Sequence, residues 1–336
     1  MKAAVVKEDR IILEEIENIK LKNWQTGAIV KTSGCGLCGS DIVKFREKLA
    51  KNGTVLGHEI VGEIVEINSK TDFKLNDKIV CSHHIPCFNC SYCENENYSM
   101  CEHFKSTNIK PGGFSELIYL SEEHLQNVAY KIPQNLTEIE ASFYEPLGCC
   151  IRAVKRAELK QNSKVLVVGL GSIGLLMGQA LKAHGHSVFG CDILKDRIDI
   201  AKSLGIKAFN STESISKYIE EIKEESLNAD AIFMTAGADA TIDLALKNVR
   251  DGGKIVVFAS TPKNSGYANN EIYYRELTVM GSYSPSPADL KDSIELLKDK
   301  KVKVEGLSTI YEFKEIEKAF HDTINNKILK AYIKIN

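Results

Sequence analysis

No stretch of this 336-residue sequence approaches the roughly 20 consecutive apolar residues that a membrane-spanning helix needs. The opening residues, MKAAVVKEDRIILEE, also lack the apolar core of a secretory leader. An excess of one charge is missing too: 43 Lys and Arg face 45 Asp and Glu, the formal net charge is −2, and the isoelectric point lies near 6.5. That balance, with no basic stripe in the sequence, disfavours a nucleic-acid binder that engages phosphates. Internal repeats and low-complexity tracts are absent, so neither a solenoid nor a disordered array is expected. What remains is ordinary globular composition, 43% hydrophobic and 26% charged, over a length that suits about two domains. Ten cysteines stand out against it. In a chain without a leader, metal binding accounts for them better than disulfides, and the cytoplasm is the expected compartment.

Four of these cysteines, Cys87, Cys90, Cys93 and Cys101, form a C-x2-C-x2-C-x7-C cluster. Thiolates at that spacing close a tetrahedron around one Zn²⁺ and leave no open position, which makes the site structural. A second set is dispersed: Cys38 in Gly-Leu-Cys-Gly-Ser-Asp, the pair His58-Glu59, and Glu145 ahead of Pro-Leu-Gly. A thiolate, an imidazole and a carboxylate leave the fourth position of a catalytic zinc free for water or an alcohol oxygen, whose proton the metal makes easier to lose. Glu59 is read either as a direct ligand or as a group supporting one. The expectation is therefore two zinc ions per chain.

Along the chain, short apolar runs at 28–32, 59–67 and 78–81, punctuated by Gly and Asn/Asp, predict a small barrel-like β domain that carries the metal loops. The pattern changes near Pro146. A helix is expected from 145 to about 159, then the continuous apolar run Lys-Val-Leu-Val-Val at 164–168, as in the centre of a parallel sheet. Gly169-Leu-Gly171-Ser172-Ile173-Gly174 follows directly, with a helical pattern at 175–183. Strands at 187–192, 229–235, 254–259 and 277–282 alternate with helices at 195–204 and 241–249, which predicts an α/β, doubly wound parallel sheet. After Pro285 the alternation ends. Helices at 288–299 and 314–324 and a strand at 329–335 remain, and they are expected to return to the first domain.

Glycines in a G-x-G-x-x-G pattern between a strand and a helix allow a tight turn and close approach of a pyrophosphate to the helix N-terminus. Asp192, closing the next strand, can accept hydrogen bonds from ribose hydroxyls and repels a 2′-phosphate, which favours NAD over NADP. Lys195 and Arg197 lie near enough to soften that preference.

The motifs at 36–41 and 57–62, the four-cysteine lobe, Pro-Gly-Gly-Phe at 111–114, Glu-Pro-Leu at 145–147 and the glycine loop occur in the order of a known family. Over nearly its whole length the chain resembles the zinc-containing medium-chain alcohol dehydrogenases. The resemblance implies a GroES-like β-rich catalytic domain at 1–148 with a zinc lobe at 84–104, a Rossmann NAD-binding domain at 149–284, and a return at 285–336. It implies a catalytic zinc on Cys38, His58 and a glutamate, hydride transfer to NAD, and a homodimer or homotetramer. Gly-Ser-Asp after Cys38 and Glu-Pro-Leu at 145–147 look like the polyol (sorbitol and butanediol) dehydrogenases, so a small alcohol or polyol is the expected substrate.

Departures from the family pattern bear on mechanism. The family often places a histidine five residues after the zinc cysteine, in a proton relay with a serine that here is Ser40; this chain has Val43 there. The relay then runs through Ser40 and water. His84, three residues before Cys87, stands where threonine dehydrogenases of the family carry a histidine, which keeps L-threonine 3-dehydrogenase as the alternative activity. A non-catalytic nucleotide- and zinc-binding protein is the alternative from another class; the retained ligand residues speak against it.

Overall fold

The computed structural model describes residues 1–212, 227–237, 239–260 and 266–336. They form two compact units. One comprises Met1–Glu145 with Ser286–Lys298 and Val304–Asn336, and the other Pro146–Pro285 with Asp299–Lys303. Among the described residues, no helix is long and apolar enough to cross a membrane.

The second unit is built on a six-stranded sheet whose neighbours are all parallel. From edge to edge the order is Lys207–Asn210, Ser187–Asp192, Lys164–Val168, Ala229–Met234, Val249–Val257 and Thr278–Gly281. The first strand in the chain, Lys164–Val168, thus stands inside the sheet, and the order runs outward from it in both directions, the doubly wound arrangement. Val165 to Val168 are buried, as a strand covered by helices on both faces must be. On one side Leu166, Val168, Phe189, Ile232, Met234 and Ile255 pack in one cluster with Ile242, Ala245 and Leu246 of the helix Asp239–Asn248. The edge strand Lys207–Asn210 escapes the apolar-run criterion because only its two central residues, Ala208 and Phe209, are buried.

The first unit holds a seven-stranded sheet. Its long central strand, Gly27–Gly36, pairs antiparallel with Glu59–Asn68, with Leu117–Ser121 and with the late strand Lys330–Lys334. Ser308–Glu312 continues the sheet beyond Lys330–Lys334, and Lys78–Cys81 and Ala129–Lys131 continue it beyond Glu59–Asn68. A hairpin of Lys2–Lys7 and Arg10–Glu15 lies apart, and a helix, Gly39–Arg46, follows Cys38 directly.

Between Lys164–Val168 and the helix Ser172–Ala183 the chain turns through Gly169, whose φ of +94° lies in the left-handed region that favours glycine. Gly174 sits against that turn: a Cβ there would lie 1.9 Å from the Gly169 carbonyl oxygen. The obstacle is backbone, so it cannot rotate away. Gly174→Ala is therefore expected to lower stability by about 1–3 kcal/mol, the usual cost of overpacking. A urea-unfolding midpoint within error of wild type would show that the turn is looser than drawn.

Candidate active site

Cys38, His58 and Glu59 are brought together so that one ligand atom from each lies within 4.8 Å of the others. The sheet does this. Cys38 leaves the end of Gly27–Gly36, and Glu59 opens the strand beside it, register-paired with Gly36. His58 is 6% and Glu59 2% exposed.

The carboxylate of Glu59 passes over Gly36: a Cβ on that glycine would stand 2.0 Å from Glu59 Oε2. The bare backbone lets Glu59 reach across the central strand to Lys330, the first residue of the strand on its other flank, and the two form a buried ion pair. Lys330 also donates to the carbonyl of Leu37 at 3.3 Å. Burial opposes a charge on Lys330, but Glu59, Cys38 and Glu145 outweigh it and keep the ammonium protonated. Oε1 of Glu59 is buried with no hydrogen-bond partner. A buried carboxylate oxygen left without a donor is costly unless a cation meets it, so the donor set fits a divalent metal.

Asp41 orients the imidazole. Its Oδ1 lies 3.5 Å from His58 Nδ1 and accepts from the Gly57 N–H at 3.3 Å, while Oδ2 accepts from the Cys38 N–H at 3.3 Å. One buried carboxylate thus ties together the backbone on either side of two ligands and leaves His58 Nε2 for a metal. Burial alone would lower the His58 pKa, but Asp41 and Cys38 push it well above the ordinary value. Burial would raise Asp41, and His58 more than offsets it.

Glu145, the other glutamate of the expected ligand set, is buried in the helix Tyr144–Arg156, and Cys38, His58 and Glu59 are the three residues whose ligand atoms lie within 4.8 Å of one another. The charge of Glu145 acts on Lys330, which lies between sheet strands rather than on that helix. Ser40 is exposed in the first turn of Gly39–Arg46, and Val43 is exposed one turn further on.

The four cysteines of the lobe also converge, their sulfurs within 4.8 Å of one another and none in a disulfide. The Cys90 and Cys93 sulfurs are 3.6 Å apart, and the Cys87 N–H donates to the Cys101 sulfur at 3.4 Å. Burial and the neighbouring thiols push Cys93 up, whereas for Cys101 the N–H groups of Phe104 and Cys87 outweigh burial and pull it down. Sulfurs packed so closely cannot all ionise without a cation, and the set fits a closed zinc site. Phe104, with Cys93 and Cys101, forms the lobe's own small apolar cluster.

In the second unit the glycine loop presents Gly171, Ser172 and Ile173, each part-exposed, at the start of the helix Ser172–Ala183. Asp192 is held by its own backbone surroundings. Oδ2 accepts from the Leu170 N–H at 2.7 Å, and Oδ1 from Ile193 and Leu194 at 2.8 and 3.0 Å. A carboxylate offers about four acceptor positions, so capacity remains for one hydroxyl. Arg197 Nη1 lies 3.7 Å from Asp192 Oδ2 and faces Gly171. Open helix N–H groups, a side-chain-free turn and an anchored carboxylate fit a dinucleotide.

His83 and His84 do not join either ligand set. His84 Nδ1 is hydrogen-bonded to the Thr107 carbonyl at 2.6 Å, and burial lowers its pKa to about 4. Lys330 and Asp41 are the residues that motif reading missed. Asp41 had a signal, since an acid three residues after Cys38 caps the helix there. Lys330 had only a lysine at the start of an apolar strand, whose register no local pattern reveals.

Residues 25–133 match the family model of the alcohol dehydrogenase GroES-like domain, and residues 172–299 that of the zinc-binding dehydrogenases. D-xylulose reductase A of Aspergillus oryzae is 30% identical over 96% of this chain and 95% of its own. Sorbitol dehydrogenase of Halalkalibacterium halodurans is 29% identical over 90% of each. Of solved structures, galactitol-1-phosphate dehydrogenase from Escherichia coli has a TM-score of 0.87 over the whole of both chains at 26% identity.

Two substitutions on different strands should reach the same defect. Lys330→Met leaves the Glu59 carboxylate buried and unpaired, and Gly36→Ala evicts that carboxylate and strands Lys330. Each is expected to destabilise the metal-free protein by about 3–5 kcal/mol, as breaking one side of a buried pair does. For Lys330→Met the loss should shrink when zinc is added; chemical unfolding with and without metal measures both, and an unchanged midpoint for either would refute the pairing.

Proposed function

Because the chain belongs to the zinc-containing alcohol dehydrogenase family, we propose that it oxidises a secondary hydroxyl of a polyol-like substrate with NAD. The convergence of Cys38, His58 and Glu59 is the observation that carries this reading. When bound, zinc supplies Lewis acidity towards an alcohol oxygen, and NAD accepts the hydride. Cys38, His58 and Glu59 hold the metal, with Glu145 as the remaining buried carboxylate of the expected set. Asp41 keeps the His58 ring turned so that Nε2 is available. Lys330 offsets one of the two negative charges that Cys38 and Glu59 bring, so a divalent cation keeps a net positive charge to act on a hydroxyl. A donor set with one thiolate is also harder than one with two, which suits oxygen substrates.

Ser40, two residues after Cys38 and exposed, is the proposed proton carrier. Val43 has no titratable group, so the proton passes from Ser40 to water. In the other unit, Gly169, Gly171, Ser172, Ile173 and Gly174 cradle the pyrophosphate, Asp192 accepts from the adenosine ribose, and Arg197 lies beside it. The strand Thr278–Gly281, at the edge of its sheet among the described residues, is compatible with the homodimer or homotetramer we propose. The cytoplasm, where thiols stay reduced, is the compartment that suits the zinc lobe.

Reduction of NAD against polyols, simple secondary alcohols, sugar-alcohol phosphates and L-threonine tests the reading. Turnover is expected with a secondary hydroxyl flanked by further hydroxyls. If L-threonine outperforms every polyol and His84→Ala removes that activity, the threonine alternative replaces this one. Ser40→Ala should lower kcat by roughly 10²-fold; a kcat near wild type would move the proton path elsewhere.

For the cofactor, kcat/KM should be higher with NAD than with NADP, and Asp192→Gly should narrow the gap. Equal values in the unaltered protein would show that the remaining acceptor position of Asp192 does not meet the ribose.

A further inference from the structure

Four aromatic rings form a continuous row within the first unit. His58 and His83 have ring centroids 4.4 Å apart, His83 and His84 3.8 Å, and His84 and Phe104 4.8 Å, with interplanar angles of 38°, 41° and 42°. One end of the row is a ligand of the open site. The other end, Phe104, packs on Cys93 and Cys101 of the closed site. The row is anchored along its length. The His124 ring meets the His83 carbonyl at 3.2 Å, and the His124 Nδ1 meets Ser121 Oγ at 2.7 Å. His84 is tied to Thr107, whose hydroxyl lies 3.1 Å from the Phe104 carbonyl and accepts from the Ile85 N–H at 2.9 Å.

The histidine rings in the middle carry no ligand role. His83 is buried, and its Nδ1 has no hydrogen-bond partner. Its ring nevertheless packs on those of His58 and His84, tilted by 38° and 41°. The polar contacts of the His58 ring, a long one to Asp41 at 3.5 Å and one to the Cys38 side chain, lie at its edge. A ring laid against its face blocks rotation about the Cβ–Cγ bond more directly than in-plane contacts do.

We propose that His83 and His84 are positioning residues. They carry the rigidity of the four-cysteine lobe to the face of His58 and so hold the open site in the geometry that retains its metal. The proposal rests on the reading above that both sites bind zinc. Its physical content is ring packing, so a phenylalanine should substitute for either histidine, and an aliphatic side chain should not.

The test uses the full-length, zinc-loaded protein and measures zinc release to a chromophoric chelator for wild type and for Ala, Leu and Phe at positions 83 and 84. Two kinetic phases are expected in wild type. In the Ala and Leu variants the open-site phase should accelerate by about tenfold, the scale of one aromatic pair, while the four-thiolate phase is unchanged. The Phe variants should stay within about threefold of wild type. Cobalt substituted into the open site should show altered d–d bands in the Leu variants and the wild-type spectrum in the Phe variants. If an Ala variant does not fold, the Leu and Phe pair carries the comparison, since Leu fills volume without a ring. Release from Leu variants at the wild-type rate, or from Phe variants as fast as from Leu, would overturn the proposal, as would equal acceleration of both phases. A wild type that never holds a second zinc would instead refute the reading on which the proposal rests.

Discussion

The arrangement of the open site depends on one carboxylate crossing a strand. Glu59 and Lys330 lie on opposite flanks of Gly27–Gly36, and the missing side chain at Gly36 is what lets them meet. Two charges at 2% and 4% exposure would each be prohibitive alone. Paired, they fix where the strand Lys330–Lys334 lies against the central strand and leave one oxygen of Glu59 unsatisfied. The same contact therefore sets a sheet register and prepares a ligand. Asp41 acts similarly on the other ligands, through backbone N–H groups as well as through its charge on His58.

Much of the second unit could be read from the chain because its signals are local. An apolar run such as 164–168, a glycine turn and a helix in immediate succession have few other structural solutions, and the strand appears over those same residues. The helix after the turn begins at Ser172, earlier than hydrophobic periodicity indicates, since Ser172 and Gly174 contribute nothing to an apolar face. The first unit was less legible. Its hairpin strands Lys2–Lys7 and Arg10–Glu15 are short, and its strand Leu117–Ser121 is short and pairs with the distant Gly27–Gly36. Propensity reports that a strand exists and is silent on what it pairs with.

The candidate site divides along the same line. Cysteine spacing specifies the closed site because all four ligands fall within one lobe, and they converge. For the open site, Cys38, His58 and Glu59 are near in sequence and converge, whereas Glu145 lies far along the chain and its placement depends on long-range packing. Lys330 illustrates the limit most clearly: its role is defined entirely by a register between strands that sequence distance hides. The aromatic row was hidden for a different reason, since adjacent histidines in a chain give no indication that their rings will stack on a third.

The lateness of Lys330 has a consequence for synthesis. Cys38, His58 and Glu59 leave the ribosome early, and the whole doubly wound unit is made before the lysine appears. At about 5–20 residues per second, Glu59 waits roughly 15–50 s for its counter-charge. During that interval the nascent chain displays a thiol, an imidazole and an unbalanced carboxylate in loops with no completed sheet behind them. A cation captured then would be held by ligands free to move, and the final strand would have to close over it. The order of translation thus favours loading the open site after the last strand is in place, which makes insertion of the metal a closing step of assembly rather than a seed for it.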